Sequence, residues 1–217
     1  MFTYPCLSYN NFYRMPNPIS YMRILNSSPN SKPLDVYLNN NLVFRNLPYK
    51  KFSDYVSIPA GTYNIKIFPA RTTSVPLFNS NIFIAPEKIW TTAIIDNYPN
   101  INILPIEDTI MPKIPHKALI RFINLSPDSN RLNLYLQNGN ALFKNMPYKG
   151  QSPYRPLDPG TYTMYITESA TGKKLLNIPN IRLIPNRFYS IYTVGNKTKP
   201  PKMQVLIPLD GNSYLPM

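Results

Sequence analysis

Along most of this chain apolar and polar residues alternate in short runs that stop at proline, glycine or asparagine. A period of two is what a strand with one buried face produces, and the spacing of three and four that marks a helix is missing. The runs predict strands at about 20–26, 34–38, 41–45, 52–58, 61–69, 77–84, 89–97 and 101–105, with a matching set in the second half. Seven or eight short strands per hundred residues predict an all-β chain of antiparallel sandwiches.

The second set matches because the sequence repeats. Tyr21-Met22-Arg23-Ile24-Leu25-Asn26-Ser27-Ser28-Pro29 returns 98 positions later (121 minus 23) as Leu119-Ile120-Arg121-Phe122-Ile123-Asn124-Leu125-Ser126-Pro127. The register continues through Asp35-Val36-Tyr37-Leu38 and Asn133-Leu134-Tyr135-Leu136, and shifts by one residue near Gly139. Phe44, Asn46, Pro48, Tyr49 and Lys50 then return as Phe143, Asn145, Pro147, Tyr148 and Lys149, Tyr55 as Tyr154, Trp90 as Tyr189, and Asn97 as Asn196. A repeat held over this length implies two copies of one domain. The expected division is an N-terminal arm at 1–19, a first sandwich at 20–112 and a second at 113–217. Residues 106–117, with Pro112 and Pro115, read as a short stiff connection.

Ile58-Pro59-Ala60-Gly61-Thr62-Tyr63 and Leu157-Asp158-Pro159-Gly160-Thr161-Tyr162 each predict a tight turn closed by a tyrosine whose hydroxyl reaches back to it. This is similar to the proline-glycine-x-tyrosine corner of immunoglobulin-like and transthyretin-like sandwiches. The order of Arg23, Asn26, Ser28, Pro29, then Asp35, Val36, Tyr37, Asn39, then Phe44, Asn46, Leu47, Pro48, Tyr49, Lys50, then Tyr55, Pro59, Ala60, Gly61, Thr62 and Tyr63 resembles a bacterial family of unknown function, DUF4397. That resemblance implies tandem β-sandwiches in surface-associated proteins and brings no activity or ligand. The second copy departs from the pattern at Asn133 and at Asp158-Pro159.

Composition agrees with strands, since 17 Tyr and 10 Phe suit pleated surfaces while 25 Pro and 7 Gly interrupt helices. Charge changes the picture more. With 23 Lys and Arg against 10 Asp and Glu, the formal net charge is +13, so the surface attracts anionic polymers. The lysines form small groups at Lys50-Lys51, Lys173-Lys174 and Lys197, Lys199 and Lys202. No zinc-finger, recognition-helix or RNA-binding signature accompanies them, and nucleic acid is not expected as the partner. No signal peptide is expected, because Pro5, Pro16 and Pro18 break the N-terminal run. No stretch is apolar enough over about 20 residues to span a bilayer as a helix. Synthesis in the cytoplasm follows as the expectation.

Candidate chemistry is sparse. The single histidine, His116, falls in the connection and reads as solvated, and the single cysteine, Cys6, falls in the arm without a neighbouring base. No acidic run has calcium-loop spacing and no glycine pattern cradles phosphate, so neither catalysis nor a cofactor is expected. Arg23 and Asp35 are expected to form a cross-strand ion pair. The recurring Asn-x-Ser-Pro segments read as turns, and Tyr49 and Tyr148 as caps on the sandwich core with wet lysines beside them.

Two functions compete on these grounds. The first is a non-enzymatic structural protein that self-assembles in a bacterial surface layer, most concretely a Gram-positive spore coat or spore appendage. Its candidate intersubunit contact is the apolar arm with Phe2, Tyr4, Cys6, Leu7, Tyr9, Phe12 and Tyr13. The alternative is a binding module for an anionic cell-wall glycopolymer, using basic loops and exposed tyrosines.

Overall fold

A computed structural model describes residues 18–216. The expected candidates at Phe2, Tyr4, Cys6, Leu7, Tyr9, Phe12 and Tyr13 lie outside the described residues.

Each repeat contributes eight strands. The first holds β1 (Ile19–Asn26), β2 (Leu34–Leu38), β3 (Asn41–Leu47), β4 (Val56–Pro59), β5 (Gly61–Pro69), β6 (Phe78–Ile84), β7 (Ile89–Ile95) and β8 (Asn102–Glu107). The second holds β9 (Ala118–Asn124), β10 (Leu132–Leu136), β11 (Ala141–Met146), β12 (Arg155–Leu157), β13 (Gly160–Glu168), β14 (Lys174–Leu183), β15 (Phe188–Val194) and β16 (Gln204–Leu206), followed by a 3-10 turn at Gly211–Ser213. In the first repeat one sheet has the order β4-β1-β7-β8 and the other β3-β2-β5-β6. The second reproduces them as β12-β9-β15-β16 and β11-β10-β13-β14. Pairing is antiparallel except between β1 and β7 and between β9 and β15, which run parallel.

The first sandwich closes over Met22, Ile24, Val36, Ile65, Ile67 and Ile94, and the second over Ile120, Phe122, Leu134, Met164, Ile166 and Ile191. In the outer sheets polar residues alternate with these, as a strand with one wet face requires. The central strands depart from that expectation. β9 and β15 are buried at every position, and β1 and β7 nearly so, because their second faces meet across the two repeats. Leu25, Ala93, Ile95 and Ile106 of the first repeat pack there against Ile123, Leu125, Tyr192 and Val194 of the second.

Two local features aim residues at this junction. The run expected at 52–58 is broken: Ser53 Oγ accepts from the Ile24 amide at 2.9 Å, the ordered strand begins only at Val56, and Tyr55 is turned towards the junction. Ser152 Oγ does the same for the Phe122 amide and frees Tyr154. The segment expected as a connection also begins later, since Ile106 and Glu107 belong to β8 and Asp108 is fully buried. The chain between the repeats is exposed along most of 109–117, His116 included.

The corner tyrosines behave as expected, with Tyr63 donating to the Pro59 carbonyl at 2.8 Å and Tyr162 to the Asp158 carbonyl at 2.7 Å. Gly61 and Gly160 have φ of 156° and 158°, close to extended backbone. The Asn-x-Ser-Pro segments are turns: Asn26 and Asn124 are buried, their Oδ1 atoms accept from the Ser28 and Ser126 amides, and their Nδ2 atoms donate to the Leu47 and Met146 carbonyls.

Candidate binding site

Charged side chains meet in two very different places, one buried and one open. The buried place is the junction. Arg23 does not pair with Asp35, contrary to the sequence-based expectation. Its Nη2 donates to Asp210 Oδ1 at 3.2 Å, its Nη1 to the Leu209 carbonyl at 3.0 Å and its Nε to Thr91 at 2.9 Å. Arg121 mirrors it, donating to Asp108 Oδ1 and the Glu107 carbonyl, each at 2.5 Å, and to Ser190 at 2.6 Å. Each repeat therefore presents an arginine to the aspartate that ends the other repeat. Tyr55 and Tyr154 donate to the remaining oxygens of Asp108 and Asp210, at 2.6 and 2.5 Å, and their rings lie 4.6 and 4.7 Å from the guanidinium carbons of Arg23 and Arg121. The Gly211 amide also donates to Asp108.

Burial, and then the nearby charge of Asp108, push the Asp210 carboxyl up to about 6, against the opposing pull of both arginines. Four charges withdrawn from water are weak evidence for added stability, and their geometry instead fixes how the repeats meet. Every oxygen of this quartet is engaged, so it offers no group to a ligand. Neither Asp108 nor Asp210 was singled out from sequence. The available signal was that an acidic residue closes each repeat, at Glu107-Asp108 and at Leu209-Asp210.

The recurring Pro-Tyr-Lys loops bridge the same junction instead of capping their own sandwich. Tyr148 donates to Asp96 Oδ1 at 2.6 Å and accepts from the Asp96 amide at 3.1 Å, while Lys149 lies 3.3 Å from Asp96 Oδ2. Burial raises the Asp96 carboxyl, but hydrogen bonds from Tyr148, Asn102 and Lys149 outweigh it and hold the group below its ordinary value. At the other end Lys50 Nζ donates to Gln204 Oε1 at 2.8 Å, and Asn30 Nδ2 reaches the Pro200 carbonyl at 3.5 Å.

That second contact creates the open place. Lys50 and Lys51 come from one repeat and Lys197, Lys199 and Lys202 from the other, and the two groups share one end of the junction, because Lys50 reaches Gln204, two residues from Lys202, and Asn30 reaches Pro200, next to Lys199. The local carboxylates are already committed. Asp128 accepts from the Lys197 and Thr198 amides and the Thr198 hydroxyl, and Glu168 pairs with Lys197 at 2.8 Å. Lys50, Lys51, Lys199 and Lys202 have no carboxylate within ion-pair distance among the described residues.

Both repeats also carry a cleft beside the start of β2 or β10. In the first it has a volume of about 480 Å³ and is lined by Asp35, Tyr37, Arg45, Asn46, Arg71 and Thr72 among others. In the second it measures about 710 Å³, with Arg131, Asn145, Tyr148 and Ser169 on its walls. On the outer sheet of the second repeat Tyr135 and Tyr165 stack with centroids 5.2 Å apart and planes 8° from parallel, and the Lys174 ammonium lies 4.3 Å from the Tyr165 centroid. His116 is brought to none of these places. Among the described residues no group of three His, Cys, Asp or Glu is placed to hold a metal ion, and no helix is long and apolar enough to cross a membrane.

Comparison with known proteins adds a family. The model for a domain of unknown function, DUF4397, matches residues 20–135 and 118–213. No curated protein matches. Among solved structures, the C-terminal domain of AlgF from P. aeruginosa is 20% identical and covers 43% of this chain and 98% of its own, with a TM-score of 0.35. The CBM26-family module of Eubacterium rectale Amy13K, in complex with maltoheptaose, is 8% identical over 87% of this chain and 96% of its own, with a TM-score of 0.27. An α-glucan-binding streptococcal virulence factor is 7% identical over 91% and 99%, with a TM-score of 0.29. At these identities and scores neither ligand nor partner carries over.

Proposed function

We propose that this chain, which belongs to the DUF4397 family through two successive copies of its domain, is a non-catalytic binding module of the bacterial surface that holds an anionic cell-wall glycopolymer. The observation that carries the reading is the contact of Lys50 with Gln204, which sets Lys50 and Lys51 at the end of the junction that also carries Lys199 and Lys202, while Asp128 and Glu168 there are engaged by the Lys197–Thr198 segment. An anionic chain laid across both repeats meets several ammonium groups at once, and their attraction adds along the polymer. Tyr135, stacked on Tyr165 whose ring lies under Lys174, brings an aromatic surface and a cation together, the pairing that suits a sugar ring with a charged substituent.

Binding of purified wall polymer to immobilised protein tests this reading. The wild type should bind saturably and lose affinity steeply as salt rises, since exposed charges are screened over about 10 Å at 0.1 M. Replacing Lys50, Lys51, Lys199 and Lys202 together by Gln should weaken binding about ten-fold or more at low salt. Equal binding by that variant, or no saturable binding by the wild type, overturns the proposal. Self-assembly through the arm and a place in a spore coat draw no support from the described residues.

A further inference from the structure

Asp35 is buried, yet the charge of Arg23 that was expected to answer it is spent across the junction. Its two oxygens accept instead from backbone: Oδ1 from the Asn46 amide at 2.6 Å and Oδ2 from the Arg71 amide at 2.9 Å. One carboxylate thereby pins two chain segments, the end of β3 and the turn after β5. Each segment carries an arginine into the cleft, Arg45 next to Asn46 and Arg71 itself.

Both guanidiniums are exposed, and neither has a hydrogen-bond or ion-pair partner among the described residues. Arg71 also holds a left-handed backbone, with φ of 67°, where glycine or asparagine would be the less strained choice. The second repeat lacks the pair. Lys144 stands for Arg45 and Ala170 for Arg71, while Asn133 takes over the pinning role, accepting from the Asn145 amide at 2.7 Å. Two unpaired guanidiniums on a preformed wall make a fork for an oxyanion, since each presents paired donors to carboxylate or phosphate. Tyr37, held edge-on against Phe68 with centroids 5.4 Å apart, lies beside them. The volume of about 480 Å³ falls within the roughly 300–1,000 Å³ typical of small-ligand sites.

We infer that the Arg45–Arg71 cleft of the first repeat is a subsite for one oxyanion-bearing sugar residue, its carboxylate or phosphate held by the two guanidiniums and its ring set against Tyr37. This deepens the proposed function and rests on it. The lysines of the junction supply attraction along a polymer, and the cleft supplies recognition of a single unit.

Calorimetric titration of the full chain with two short probes tests the site and its source, a glucuronate trisaccharide for the carboxylate and glucose 6-phosphate for the phosphate, with maltotriose as the uncharged control. One of the two anionic probes should bind saturably and maltotriose should not. The double variant Arg45→Gln, Arg71→Gln should lose about ten-fold or more of that affinity, with an unchanged circular dichroism spectrum because both side chains are unpaired. The four-lysine variant should retain affinity for the short probe. The inference is overturned if neither anionic probe binds, if maltotriose binds equally well, or if the arginine variant keeps wild-type affinity. Long polymer that still binds the wild type in any of those cases leaves the proposed function standing, whereas loss of polymer binding removes both.

Discussion

The two Pro-Tyr-Lys loops perform one task at opposite ends of the junction with unequal success. Tyr148 finds the Asp96 carboxylate and amide of the first repeat. Tyr49, its counterpart, is directed at a repeat with Gly195 in the place of Asp96, and its hydroxyl is buried without a partner. Burial pushes the Tyr49 hydroxyl up to about 12. The reason for Gly195 is steric. A Cβ there would come within 2.5 Å of the Lys202 carbonyl oxygen, so no aspartate fits. The turn that carries Lys199 and Lys202 is thus packed so closely that it excludes the acidic group which closes the other end. One end is neutralised by Asp96; the other is left basic, at the cost of one unsatisfied hydroxyl. Duplication supplied a near-symmetric body, and Gly195 in the place of Asp96 is where its two ends part.

Breaking what the two ends share should have the largest effect. Arg121→Ala strands Asp108 in the buried junction and should cost about 3–5 kcal/mol in denaturant unfolding. Arg23→Ala should cost less, because Asp210 keeps Arg121 at 3.4 Å. Next comes the packed turn. Gly195→Ala adds a Cβ against the Lys202 carbonyl at a φ of 81°, and should lower stability by about 2 kcal/mol.

Removing hydroxyls sharpens the comparison itself. Tyr148→Phe breaks a bond to a carboxylate and should cost about 1.5 kcal/mol, whereas Tyr49→Phe should be neutral or stabilising by about 0.5 kcal/mol. Equal losses at the two tyrosines would show that the ends are alike after all. The smallest effect is a pH dependence confined to the neutralised end. The Asp96 carboxyl is held below its ordinary value in the folded chain, so near and below pH 3.8 the folded state binds fewer protons than the unfolded one. Its contribution is present above that pH and is lost as pH falls through the folded value. The stability gap between wild type and Tyr148→Phe should therefore narrow in acid, and the gap for Tyr49→Phe should not.

Strands and turns were legible because each is decided by near neighbours. The alternation around Val36 and Ile65, the side chain of Asn26 closing its own turn, and the hydroxyl of Tyr63 folding back on Pro59 all act within a few residues or one strand pair. The junction was not legible. Arg23 in Met22-Arg23-Ile24 reads as half of a cross-strand pair with Asp35, and the partner that it takes is Asp210, 187 residues away in the other copy. Residues 106–108 likewise read as linker, since only the far repeat gives Asp108 a reason to be buried. The cleft was half legible: Asp35 stood out, but its pinning of Arg71 depends on the path of the turn after β5.

The crossing of the arginines also governs how this protein comes apart. If the second repeat opens alone, Arg23 and Asp108 of the first both lose their ion-pair partners, whereas if the first opens, Arg121 of the second keeps Asp210 at 3.4 Å; either opening also bares the apolar junction that the two repeats share. The pair should behave as a single cooperative foldon: amide protons in β1 and β9 should exchange with solvent together and at one rate, and a protease cut in the exposed stretch at 109–117 should leave two fragments that stay clasped.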